Sequence, residues 1–140
     1  MIKVRHTGIV VKNIEKAVNF YRDVLGLRLI SYITESGSHL DNCLNLENVS
    51  IEIAKLQADD NIIVELLCYK NPLSKERSNR INDFGISHIA FTIENLDSFY
   101  NSNKEQINFS HPPEIFSSTV KMTFCTDPDG NHIELVEEKE

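Results

Sequence analysis

The sequence predicts an α+β fold made of two copies of one strand-helix-three-strand module, written βαβββ. Three observations predict it: an internal duplication, an amphipathic helical stretch in each copy, and short β-rich apolar runs that fill the remainder. The duplication is visible when the segment from His6 is laid over the segment from His88. Asn13-Ile14-Glu15 follows His6 at the spacing at which Asn95-Leu96-Asp97 follows His88. Both copies also end alike, with Asp60 and Asp129 each five residues before Glu65 and Glu134.

The first module, residues 1–70, opens with an apolar run over 3–11, expected as a strand. A helix over 13–24 follows, because Ile14, Val18, Tyr21, Val24 and Leu25 recur at helical spacing and form a stripe suited to packing on a sheet. Asn13 suits the N-cap and Gly26 the stop. Runs at 28–34, 49–57 and 61–69 supply the three remaining strands. Residues 71–84, with Asn71-Pro72 and a charged run, read as a linker. In the second module, residues 85–140, the series is repeated by a strand at 85–93, a helix over 95–105, a weaker strand near 106–110, and strands at 119–126 and 131–137.

From His6 to Glu65 is 59 residues and from His88 to Glu134 is 46, so the first module carries an insertion. Gly37 to Asn48 is its expected seat, where Leu40 and Leu44 suit one or two helical turns folded over an opening as a lid.

Composition narrows the function classes. A length of 140 residues with 41% hydrophobic and 25% charged residues is that of one folded body. A net charge of −7 opposes nucleic-acid binding, which needs clustered cations to displace counterions. The scattered Lys75, Arg77 and Arg80 read as a solvated connection. Neither a signal-like apolar start nor a membrane-length apolar run is present, so no membrane association and a cytoplasmic location are expected. Cys43, Cys68 and Cys125 form an odd set without CxxC spacing and read as free thiols.

Strand parity singles out a candidate site. Side chains alternate between the faces of a strand, which sets Glu134 opposite Ile133 and Leu135, Glu65 opposite Val64 and Leu66, and His6 opposite Ile9 and Val11. A carboxylate among branched apolar neighbours is costly to bury unless paired or coordinated. Two imidazoles and two carboxylates, His6, Glu65, His88 and Glu134, supply N2O2 chemistry suited to one divalent ion such as Zn, Ni, Co, Mn or Fe(II). The other histidines lack a counterpart in the duplication: His39 falls in the lid, His111 in a loop, and His132 on the Glu134 face as a donor behind the ligands.

The phrases HTGIVVKNIEKAVNFYRDVLGL, NIIVELL, ISHIAFTIENLD and CTDPDGNHIELVE resemble the vicinal oxygen chelate superfamily, which includes glyoxalase I, methylmalonyl-CoA epimerase, extradiol dioxygenases and antibiotic resistance proteins. The resemblance covers nearly the whole chain. It implies paired βαβββ modules forming a U-shaped mixed sheet around a metal cleft, with His6, Glu65, His88 and Glu134 at the ligand positions. It also implies a homodimer and a small-molecule substrate. Where glyoxalase I usually carries an Arg for the glutathione carboxylate, this chain has Ile9-Val10-Val11, a departure from a glutathione thioester role. The implied activity is that of a metal-dependent lyase or isomerase, glyoxalase I-like or epimerase-like, with Glu134 or Glu65 moving a proton next to a carbonyl. The alternatives are an Fe(II) extradiol dioxygenase and a non-catalytic antibiotic-binding resistance protein.

Overall fold

A computed structural model describes residues 1–76, 78 and 80–139. Arg77, a member of the basic group noted in the sequence, lies outside the described residues. The chain divides into two compact units, Met1–Glu76 and Arg77–Glu140.

The first unit holds a four-stranded mixed sheet in the order β1-β4-β3-β2. Its strands are β1 (Thr7–Val10), β2 (Arg28–Ser36), β3 (Ser50–Gln57) and β4 (Ile63–Asn71). β1 runs parallel to β4, while β2, β3 and β4 form an antiparallel meander. The crossover helix α1 (Ile14–Asn19) continues into a π-helical turn, Phe20–Val24, so the expected helix over 13–24 is one body with two windings. The Asn13 side chain caps it by accepting from the Lys16 amide at 2.9 Å. Ile14, Ala17, Val18, Phe20 and Tyr21 are buried, and α1 packs on β3 and β4. Val64, Leu66, Ala54 and Leu56 are fully buried on those strands. Gly26 stops the helix with φ of 82°, a conformation that glycine adopts without a Cβ clash.

The second unit repeats the plan, with sheet order β5-β8-β7-β6. It contains β5 (Ile89–Thr92), α3 (Leu96–Asn103), β6 (Glu114–Ile115), β7 (Val120–Thr126) and β8 (His132–Glu138). β5 is parallel to β8, and β6, β7 and β8 are antiparallel neighbours. Asn95 caps α3 by accepting from the Ser98 amide at 2.9 Å, as Asn13 caps α1. The turn before β8 is shaped by Asp127, whose carboxylate accepts from the Asp129 and Asn131 amides, each at 2.9 Å.

Several boundaries differ from the sequence expectation. The strands expected over 3–11 and 85–93 are short, beginning at Thr7 and Ile89. The parallel register explains this: Thr7 pairs with Val64 and Ile89 with Ile133, while β4 and β8 begin at Ile63 and His132. Residues upstream of each histidine therefore find no rung to pair with. In place of a strand near 106–110 there is a single bridge from Phe109 to Cys125, and the pairing strand is β6. Pro112 and Pro113 lie between the bridge and β6 and cannot donate to a ladder.

The insertion forms α2 (Ser38–Leu44), one to two turns as expected. Its exit is tied down by Asp41, which accepts from the Asn48 and Val49 amides at 3.1 and 2.8 Å. Leu40, Leu67 and Tyr69 pack against a cluster of Val49, Ile51 and Ile53. By alternation Ile51, Ile53, Leu67 and Tyr69 share the face of β3 and β4 that carries Glu65, opposite the face buried by α1. Among the described residues no helix is long and apolar enough to cross a membrane.

Candidate metal centre

Each unit brings one histidine and one glutamate together in the same way. In the first, Gly8 of β1 is the register partner of Glu65, and His6 stands two residues before Gly8, just outside the strand. In the second, Ala90 is the partner of Glu134, with His88 two residues before it. His6 Nε2 lies 3.1 Å from Glu65 Oε2, and His88 Nε2 lies 3.1 Å from Glu134 Oε2. The neighbours of both glutamates along the strand, Val64, Leu66, Ile133 and Leu135, are fully buried on the opposite face. Strand alternation thus holds each carboxylate away from the helix-packed core while anchoring its backbone in that core.

The separations fit two donors of one metal ion. Ligands at about 2.1 Å from an ion and at right angles to each other are about 3.0 Å apart, and about 3.4 Å apart at a tetrahedral angle. The same 3.1 Å is also the length of a charge-assisted pair between a protonated imidazole and a carboxylate. Among the described residues no group of three or more His, Cys, Asp or Glu side chains is gathered as a metal cluster, and each unit presents a pair of donors. The imidazoles are about one-third exposed, at 33% and 34%, while Glu65 and Glu134 are 12% and 19% exposed.

The surroundings of the two glutamates differ. Lys55 is the antiparallel register partner of Glu65, and its Nζ lies 3.4 Å from Glu65 Oε1. At the corresponding place, Phe124 is the register partner of Glu134, and its ring packs edge-on against His88 with centroids 5.2 Å apart. Sequence reasoning missed both residues. Counting back ten positions from each glutamate was sufficient to align Lys55 with Phe124.

Phe124 also borders a cavity of about 360 Å³ within the second unit, lined by Ser110, His111, Ile115, Phe116, Met122 and neighbouring residues. The volume lies at the lower end of the range for small-molecule sites, about 300–1,000 Å³. His111 is in a loop, as expected, and pairs with Glu114 at 3.2 Å. His39 lies on α2, and His132 is half-buried at the start of β8. Ser87 Oγ lies 3.1 Å from His88 Nδ1, a contact that orients the ring.

Comparison with known proteins agrees with this architecture. The profile of the Glyoxalase/Bleomycin resistance protein/Dioxygenase superfamily matches residues 3–135. A lactoylglutathione lyase of Schizosaccharomyces pombe is 29% identical over 99% of this chain, and the chain spans only 48% of that protein's length. The uncharacterized protein YwkD of Bacillus subtilis is 30% identical over 96% of both chains. Among solved structures, a glyoxalase family protein of Bacillus cereus superposes with a TM-score of 0.92 at 20% identity, covering 100% of this chain and 96% of its own. The trypanothione-dependent glyoxalase I of Leishmania major gives 0.68 at 21% identity, covering 99% and 88%. At such identities the two structures establish the shared fold alone.

Proposed function

The chain belongs to the glyoxalase/bleomycin resistance protein/dioxygenase superfamily, and from that membership we propose that it is a metal-dependent lyase or isomerase acting on a small oxygenated substrate. The observation that carries the proposal is the duplicated His-Glu pair, placed by equivalent parallel registers and closed to the same 3.1 Å in both units. His6, Glu65, His88 and Glu134 are assigned as the ligands of one divalent ion per chain, from among Zn, Ni, Co, Mn and Fe(II). When bound, the ion supplies Lewis acidity toward a carbonyl or enediolate oxygen.

The residues of the chain do the rest. His6 and His88 would each offer an imidazole nitrogen to the ion from just before β1 and β5. Glu134 or Glu65 takes the proton from the carbon next to the substrate carbonyl and returns it, so the reaction is redox-neutral. The cavity beside Phe124 is of a size to receive a small apolar substituent.

The test has two stages. Elemental analysis of the purified protein is expected to find close to one divalent metal per chain. The metal-loaded protein is then supplied with 2-hydroxy carbonyl, hemithioacetal and acyl-CoA candidates in deuterated water. Deuterium gained at the carbon beside the carbonyl, and lost in Glu134→Gln or Glu65→Gln with metal retained, is the expected result. Failure to bind any of these metals refutes the ligand assignment. Oxygen consumption with a catechol by the Fe(II) form, without exchange in any candidate, refutes the proton-transfer chemistry in favour of a dioxygenase. Tight ligand binding without turnover refutes it in favour of a sequestering protein.

A further inference from the structure

The rung of the first sheet that carries Glu65 reads Gly8, Glu65, Lys55, Ser31 across β1, β4, β3 and β2. A neighbouring rung on the same face reads Val10, Leu67, Ile53, Ile33. The Glu65–Lys55 rung thus borders apolar side chains on this side, while the rung on its other side carries Ile63, Gln57 and Arg28. In the second sheet the equivalent line begins Ala90, Glu134, Phe124. The duplication keeps the small residue and the carboxylate, and replaces an aromatic ring by an ammonium.

We infer that Lys55 is a specificity-determining residue that selects a substrate bearing a carboxylate beside its metal-facing oxygen. This inference rests on the metal-site reading above and deepens it. Two carboxylates and two neutral imidazoles around a divalent ion sum to zero charge. The carboxylate of Glu65 is then committed to the ion, and Lys55 keeps one positive charge that nothing in the ligand set balances. Among the described residues the one ion pair of Lys55 is with Glu65, and its side chain is 30% exposed. About two-thirds covered, the ammonium gains from a charge partner in place of Glu65. A substrate carboxylate supplies that partner, and the flexible lysine stem lets Nζ turn from Glu65 Oε1 to meet it. Ser31, the register partner of Lys55, adds a hydroxyl on the same rung. A neutral substrate would leave the charge unbalanced, so selection arises from what Lys55 loses as well as from what it gains.

The experiment compares glycolate with its uncharged counterpart glycolamide. Calorimetric titrations are made on metal-loaded wild type, Lys55→Met and Lys55→Arg, after the metal content of each is measured. Wild type is expected to bind glycolate at least tenfold more tightly than Lys55→Met does. Glycolamide is expected to bind all three alike, and Lys55→Arg to recover most of the glycolate affinity. Equal glycolate affinity in wild type and a metal-retaining Lys55→Met overturns the inference while leaving the metal reading intact. Loss of metal from Lys55→Met alone also overturns it, by assigning Lys55 to holding Glu65. A wild type that takes up no metal is detected in the first measurement, and it overturns the metal reading and this inference together.

Discussion

Leu66→Ala and Glu65→Gln are adjacent substitutions on β4 whose effects should separate by strand face. Leu66 is fully buried on the face covered by α1, opposite Glu65. Truncation removes three carbons, worth about 2.4 kcal/mol at about 0.8 kcal/mol each. The residual cavity adds to this, and measured Leu→Ala losses run from about 2.7 to 5.0 kcal/mol, so a loss of about 3 to 4 kcal/mol is expected. The register of Glu65 with Gly8 and Lys55 comes from the backbone ladder and does not depend on the Leu66 side chain. Metal affinity measured well below the unfolding midpoint should therefore stay within about threefold of wild type.

Glu65→Gln should do the reverse. It changes stability by no more than about 1 kcal/mol, because its volume is kept and its partners are half-exposed. It should weaken metal binding at least about tenfold. Urea unfolding monitored by circular dichroism gives the first quantity and competition with a chromogenic chelator gives the second. A Leu66→Ala protein that is stable enough to remain folded, yet loses metal affinity tenfold or more, refutes the separation of core and site by strand alternation.

His88→Ala should destabilise the metal-free protein more than His6→Ala, since Glu65 keeps Lys55 at 3.4 Å whereas Glu134 faces the Phe124 ring; equal urea midpoints for the two variants would contradict this. Cys43 on α2 is exposed while Cys68 and Cys125 are buried, so an aromatic disulfide reagent at pH 8 should find one fast thiol and two that react only on unfolding. Burial, and then the charge of Asp127, push the Cys125 thiol up to about 12 from an ordinary value of 9.0. The folded state thus favours the neutral thiol. Its stabilising contribution is full below pH 9 and is lost as pH rises toward 12, which urea midpoints across that window will show. A homodimer is expected, because β1 and β5 are edge strands of their sheets and Val10, Ile115 and Phe116 are exposed apolar side chains; a monomeric mass by light scattering at micromolar concentration would refute it.

The parts of this fold that were legible in the sequence are those governed by local rules. The Asn13 and Asn95 caps, the stop at Gly26 and the strand parity of Glu65 and Glu134 each depend on a few neighbouring residues. The strand limits before His6 and His88 were not legible, because they depend on where the parallel partner begins, more than 40 residues away in each module. The expected strand near 106–110 failed for a related reason. Phe109 has the propensity, but Pro112 and Pro113 displace the pairing segment to Glu114–Ile115.

The candidate site divides along the same line. Pairing of His6 with Glu65 and of His88 with Glu134 follows from the duplication, since one module predicts the other once either register is set. What distinguishes the modules is carried by cross-strand neighbours, and duplication conceals it by directing attention to the positions that match. Lys55 and Phe124 occupy one structural position with opposite chemistry, a cation that attracts anions and a ring that excludes water.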